Sequence, residues 1–475
     1  MRTFQFSDAR SHKFWNVDVA GKDVTVNYGK IGTTGQTQTK SYASQDEARK
    51  AADKLIKEKI GKGYIETTVR ENISESEALE KAIQANPFDM GAISAYADFL
   101  TERGDPYGEF MQVQIALERE SLPAAERKKL HKQEADLLAK HAAEWIGDWA
   151  EHPEIRSVAE EWSPGTGWLP YRFTHGLLTH VEIGNLNVDL ARRLIKSPQL
   201  RFVHDLTVHG LAYDEAGEYE EGADTEGGEE EEEDYAPSGN VLARWPQLRH
   251  LRAFRFGGCE PDDYSETWCP YSCHTSGSLV AAYARQMPDI EVLHLMAHFR
   301  EEASRVVALP MPKLRVLLLY HGWVYPLDRL ARNESLKNLQ ELYCHPHALE
   351  GGEEPYINLS HLRAICRSPH LTSLTHLRLR CADVGDKGVE EIIKSGLLKR
   401  LKVLDLRHGT ISDEGAAALA ASPDVKHLEF LDLSRNRLGS AGVAAIKAIG
   451  VKSNLDLQGT AQQEEWETFG QGDIE

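Results

Sequence analysis

At 475 residues the chain is too long for one ordinary globular domain, and two or three are expected unless it grows as a solenoid. Six cysteines in that length exclude a disulfide scaffold and favour a reducing cytoplasm. No stretch approaches the roughly 18 apolar residues of a membrane span, and Met1-Arg-Thr-Phe-Gln-Phe-Ser-Asp8 lacks the apolar core of a signal peptide.

The net charge of −20 is unevenly spread: 13 acids and no Lys or Arg lie in 211–240, so the rest carries −7. The first 67 residues lean the other way, with 12 Lys/Arg against 8 Asp/Glu. Such asymmetry bears on partners rather than fold.

In the head, Trp15-Asn-Val-Asp-Val19 and Val24-Thr-Val-Asn-Tyr28 alternate as strands do, and Thr37-Gln-Thr-Lys-Ser-Tyr42 reads as another. The spacing predicts a helix over 44–59, with Ala48, Ala51, Ala52, Leu55 and Ile56 on one face and Lys50, Lys54 and Lys57 on the other. The glycine-rich turn Tyr28-Gly-Lys-Ile-Gly-Thr-Thr-Gly-Gln36 and Lys62-Gly-Tyr64 resemble the WGR domain, a small α+β module found in poly(ADP-ribose) polymerases and many bacterial proteins. The naming triplet is Tyr28-Gly29-Lys30 instead of Trp-Gly-Arg. Lysine lacks the planar fork of arginine, so this is a real departure. The resemblance covers 1–67 and implies DNA or RNA binding at the head. Tyr28 would stack on a base, and Lys30, with Lys50, Lys54 and Lys57, would meet phosphates.

Ser74-Glu-Ser-Glu77 reads as a capping box opening a helical unit over 74–150. Tyr96-Ala-Asp-Phe-Leu-Thr-Glu-Arg-Gly-Asp-Pro-Tyr-Gly-Glu-Phe110 resembles the repeat-companion domain that accompanies leucine-rich repeats in planctomycete and myxobacterial proteins. That family brings no chemistry with it. Asp105-Pro106 reads as a helix start, and Arg103 with Glu109 as an ion pair.

Leu401-Lys-Val-Leu-Asp-Leu406 and Leu428-Glu-Phe-Leu-Asp-Leu433 both read L-x-x-L-x-L, 27 residues apart. Strand plus helix at such a period is the signature of leucine-rich repeats. About ten units fall over 172–460, interrupted by the acidic insertion 211–240. Helices are predicted over 189–196, 387–394, 414–421 and 441–448. The pattern resembles ribonuclease-inhibitor-type repeats, which implies a horseshoe with helices on its convex side. Trp145, Trp149, Trp162 and Trp168 are expected to seal the helical unit against the first repeat.

Successive strand residues point to opposite faces. With the leucines inward, one row of the concave face reads Glu182, Thr207, Arg255, His294, Leu318, Tyr343, Arg378, Asp405, Asp432, Asp456. The next reads Gly184, His209, Gly257, Met296, Tyr320, His345, Arg380, Arg407, Ser434, Gln458. Its centre is Met296, Leu318, Tyr320, Tyr343, His345, Arg378, Arg380 and Arg407. Exposed aromatics beside arginines are the composition of a protein-binding hot spot, here bordered by an acidic column of Asp405, Asp432 and Asp456.

Cys269-Pro-Tyr-Ser-Cys273-His274, with Cys259 upstream, offers one short-spaced pair, whereas zinc sites use two. Free loop thiols are expected, with no metal and no cofactor. No phosphate loop, dinucleotide fingerprint or nucleophile elbow is present. The expected molecule is a non-enzymatic, cytoplasmic scaffold of three modules. Its concave face would take a protein partner, with nucleic acid at the head as the alternative. The acidic run is expected to be mobile and to compete for the head lysines or the arginines of the concave centre.

Overall fold

The computed structural model describes residues 2–7, 12–66, 75–153, 155, 169–211, 237–257, 277–297, 302–346 and 355–460. They form two compact units, Met1–Ala78 and Leu79–Glu475. Among the described residues no helix is long and apolar enough to cross a membrane.

In the first unit, the expected alternation builds an antiparallel sheet. Strand His12–Ala20 pairs with Asp23–Lys30, so that Trp15 meets Tyr28, Val17 meets Val26 and Val19 meets Val24. These side chains share one face. Helix Gln45–Gly61 covers it with Ala48, Ala52 and Ile56, and is capped by Ser44, whose hydroxyl accepts from the Glu47 amide at 3.2 Å. Gln36–Ser41 forms one edge of this sheet. Strand Arg2–Ser7, not anticipated from the sequence, pairs with His12–Ala20 and buries Phe4 against Trp15, ring centroids 5.3 Å apart.

The second unit is organised on an eleven-stranded sheet. Tyr171–Thr174 and Leu177–Leu186 are antiparallel, and every later neighbouring pair is parallel. One continuous core runs beneath it, from Val181 and Ile183 at one end to Leu431 and Leu433 at the other. No repeat could bury these leucines alone, so stacking is what stabilises each unit. The predicted helices form as Val188–Lys196, Gly385–Ser395, Asp413–Ala421 and Ser440–Ile449.

Successive helices are tied by an aspartate ladder. Asp386 Oδ1 accepts from the amides of Ser412 (2.9 Å) and Gly415 (3.0 Å), and Asp413 Oδ1 accepts from Gly439 (2.8 Å) and Gly442 (2.7 Å). Each carboxylate therefore satisfies orphan N–H groups of the next helix. Glycine is needed where the helix meets it: a Cβ at either Gly415 or Gly442 would lie 2.3 Å from the carboxylate.

Helices Glu75–Ala85, Met90–Glu102, Pro106–Leu117 and Ala124–Ile146 fall within the span read as a separate module. From Leu79 onward, however, they belong to the same compact unit as the repeats. Ile83, Tyr96 and Met111 share a core with Leu177 and Phe202, and Phe110 meets Phe173 edge-on at 5.3 Å. Arg201 pairs with Glu80 at 3.2 Å, and Arg252 donates to the Ala85 carbonyl at 2.9 Å. Trp145 and Trp149 both lie in this contact, whereas Trp162 and Trp168 lie outside the described residues. Asp105 caps its helix as expected, its carboxylate accepting from the Tyr107 amide at 2.9 Å. Arg103 does not pair with Glu109. It stacks on Phe99, 3.4 Å from the ring centroid, while Glu109 accepts from Gln133.

Candidate functional site

The polar face of the sheet follows the sequence register closely. Glu182, Thr207, Arg255, His294, Leu318, Tyr343, Arg378, Asp405 and Asp432 form one unbroken rung across nine strands. Met296, Tyr320 and His345 are neighbours in the next rung. The register slips at the last repeat, where Asp432 pairs with Asn454 instead of Asp456. A two-residue slip keeps the same face, so the alternation could not expose it. Leu457, placed inward by the sequence reading, is 68% exposed and left-handed (φ 55°), beside the left-handed Arg435.

The centre is contiguous, but it is not the exposed surface expected. Met296, Leu318, Tyr343, His345, Arg380 and Arg407 are buried, and only Tyr320 and Arg378 remain half-buried. The physical reason is charge pairing across strands. Asp405 and Asp432 are each 0% exposed and do not border the arginines; they sit among them. Arg380 Nε donates to Asp405 at 3.2 Å, and Arg407 Nη2 lies 3.1 Å from Asp405 and 3.2 Å from Asp432. Burial pushes the Asp405 carboxyl up, but Arg380 and Arg407 more than reverse this and hold it below its ordinary value. Asp432 also accepts from Asn454 and from the Ser434 hydroxyl and amide. Arg407 is held by Asp405 bidentately, Nε to Oδ1 and Nη2 to Oδ2, and Arg380 by a single charge-assisted bond.

The arginines also pack on the aromatics. The Arg380 guanidinium lies 4.5 Å from the Tyr343 ring centroid, and that of Arg378 6.0 Å. Tyr320 meets His345 edge-on at 4.7 Å. Burial drives His345 well below its ordinary pKa, and Arg380, His408 and Arg407 add to this, so the ring is neutral. Burial, then Arg435, Arg407 and Arg380, bring His408 down to about 3. Burial raises the Tyr343 hydroxyl, so it keeps its proton.

A second cluster was missed. His180 lies 3.3 Å from Asp205 and 3.6 Å from Glu182, His209 contacts Glu182 at 2.6 Å, and Arg255 contacts Asp205 at 2.6 Å. Burial works against charge on His180, but hydrogen bonding to Asp205 and Glu182 prevails and raises it. Burial likewise opposes ionisation of Glu182 and Asp205, yet their histidine and arginine partners hold both at about 2. His180 and Asp205 each lie two residues before a residue of the first row. Extending the alternation one step upstream would have found them.

In the head, Tyr28 is half-buried at the edge of the core, and its hydroxyl donates to Gln36 at 3.3 Å and accepts from Gln38 at 3.1 Å. Lys30 is exposed at its strand end and pairs in register with Lys13. Lys50, Lys54 and Lys57 are exposed along the helix. The helix lysine that reaches the aromatic side is Lys59, 5.5 Å from the Trp15 ring and 5.0 Å from Tyr64. Burial and then Lys62 lower its pKa, with Lys13 contributing. Lys13 and Lys59 are therefore additions to the sequence-based set.

Cys259, Cys269, Cys273, His274 and residues 212–236 of the acidic run lie outside the described residues. Among the described residues no group of three or more His, Cys, Asp or Glu could hold a metal ion.

The two units thus correspond to a small α+β head and a leucine-rich-repeat sheet, and comparison with known proteins says the same. Residues 1–71 match the WGR domain family, and residues 370–392, 400–420 and 426–447 match the Leucine Rich repeat family. Similar proteins include Protein YehF of Escherichia coli, 38% identical over 84 residues, which is 18% of this chain and 31% of that protein. Uncharacterized protein YfeS of the same organism is 43% identical over 65 residues, 14% of this chain and 27% of that protein. The chain therefore spans less than a third of the length of either. Among solved structures, a Bacteroides fragilis protein aligns over 98% of this chain and 97% of its own at 19% identity, with a TM-score of 0.39. An internalin from Listeria monocytogenes aligns over 62% and 65% at 12% identity, with a TM-score of 0.32.

Proposed function

We propose that this chain is a non-enzymatic interaction scaffold whose repeat sheet holds a protein partner on its concave, polar face. The observation that supports this best is the side-chain rung continuous over nine strands, with Tyr320 and Arg378 half-buried above a fixed ion-pair network. Such a platform presents an aromatic and a guanidinium at little ordering cost. The helical segment is read as a repeat-companion module closing the first strand of the sheet. A reducing cytoplasm suits Cys344 and Cys366, which form no disulfide. Tyr320→Ala and Arg378→Ala are each expected to weaken partner binding by about 2 kcal/mol, roughly 30-fold. The partner is first isolated on the wild-type chain, then titrated against both variants and a Glu390→Ala helix control. Equal affinity across all four proteins removes the polar face from the interface.

A second reading has its own support. Lys13, Lys30 and Lys59 gather beside Trp15, Tyr28 and Tyr64 in a WGR domain, which favours nucleic acid at the head. Lys30→Ala in the full chain is expected to lower the slope of log affinity against log salt by about 1 for nicked, blunt or single-stranded DNA, or for RNA. No binding of any of these at low salt ends this reading.

A further inference from the structure

Helix Ala124–Ile146 ends at Gly147, whose φ of 95° lies in the left-handed region that suits glycine. The chain passes from there straight into the short helical turn Asp148–Glu151. These residues, with Ile155 and the approach to the first strand at Leu169, Pro170 and Tyr171, line a cleft of about 700 Å³. That is the size of a site for a small organic molecule. Most of its wall is apolar. Ile146, Ile155 and Pro170 are buried, with Ala142, Ala150 and Tyr171 half-buried around them. Leu169 lines the same cleft while 54% exposed, and an apolar side chain so placed gains from being covered.

We propose that this cleft binds a small amphipathic cation, an apolar body that carries an ammonium group.

The wall selects the body, and charge selects the head. No Lys, Arg or His is among the lining residues, whose ionisable carboxylates are Asp148 and Glu151. Glu151 has a partner of its own, so the charge available to a ligand is that of Asp148. Asp148 is exposed and makes no hydrogen bond or ion pair among the described residues. The C-terminal end of the 23-residue helix Ala124–Ile146 enters the same wall through Ala142, Ala143 and Ile146. A helix end of that polarity favours a cation. A carboxylate in the cleft would meet Asp148 with no lining cation to offset the repulsion. A neutral apolar molecule would use the wall but not the charge. The site stands apart from both the scaffold and the nucleic-acid readings, since neither Tyr320, Arg378 nor any residue of the head lines it.

Calorimetric titration of the full chain at neutral pH with phenylbutylamine, phenylbutanol and phenylbutyrate compares one apolar body under a cationic, a neutral and an anionic head. Saturable binding of the amine to a single site is expected, about threefold tighter than the alcohol and about tenfold tighter than the acid. Asp148→Asn is expected to bring the amine down to the level of the alcohol and to leave the alcohol unchanged. Ala143→Trp, at an exposed helix position that lines the cleft, is expected to abolish saturable binding of both while the urea midpoint holds. The proposal is overturned if the acid binds as tightly as the amine, if Ala143→Trp leaves amine binding unchanged, or if nothing binds saturably. Binding that appears only in Trp162→Ala or Trp168→Ala also overturns it, because the chain's own ring would then be the occupant.

Discussion

Asp405→Ala is expected to destabilise the repeat unit by about 3–5 kcal/mol. The carboxylate is fully buried and accepts from both Arg380 and Arg407, so its loss takes a buried counter-charge away from two guanidiniums. Asp432 can still reach Arg407, at 3.2 Å, but Arg380 loses its paired carboxylate. The loss exceeds the worth of the pair itself, because an unmatched buried charge carries its whole desolvation penalty. Replacing Arg380 and Arg407 by methionine in the same chain is therefore expected to recover most of the stability, although it removes more hydrogen bonds. Urea unfolding followed by circular dichroism measures both changes. An Asp405→Ala shift worth under about 1 kcal/mol would show that the guanidiniums escape to solvent.

Acid is expected to unfold the repeat unit well before its carboxylates titrate. Burial, followed by Arg255, lowers His294 to about 4, and burial lowers His408 to about 3 and His345 well below its ordinary value. In the unfolded chain each ring takes up a proton near pH 6.5, while the folded chain refuses it until far lower pH. The unfolded state thus binds more protons as pH falls, and stability falls with it. Each histidine contributes up to about 1.4 kcal/mol per pH unit, so the three together contribute up to roughly 4 kcal/mol for each unit of fall below pH 6. The N-terminal cluster acts differently. His180 is raised, so its contribution is complete below pH 6.5 and is lost only on going alkaline. Glu182 and Asp205 are held at about 2, so their contributions are present above the ordinary carboxylate range and fade as pH falls from there towards 2. Histidine burial therefore dominates the window from 6.5 to 4.5. The urea midpoint should drop steeply across it, and His345→Phe should remove about one proton from the slope. A midpoint that stays level would mean that water and protons reach these rings in the folded state.

Much of the architecture was legible because it rests on local periodicity. The L-x-x-L-x-L strands, the helices that follow them and the alternation of the head each follow from residue spacing alone. The same alternation set the rung from Glu182 to Asp432 correctly, since strand pairing in a solenoid adds only a translation per repeat. It failed at Asp456, where a shortened repeat shifts the register by two and leaves facing unchanged. It also missed Arg2–Ser7, whose place depends on pairing with His12–Ala20.

What alternation cannot supply is how deep a polar-face residue lies. Tyr343, His345, Arg380 and Arg407 carry the composition of an exposed hot spot, yet they are buried because three neighbouring strands bring their arginines onto shared aspartates. Lys59 likewise joins the aromatic side of the head only because its helix packs across the strand that carries Trp15. Facing is a property of one strand and is written in sequence order. Burial and charge pairing belong to residues some 25–35 positions apart, and only the stacked repeats put those residues side by side.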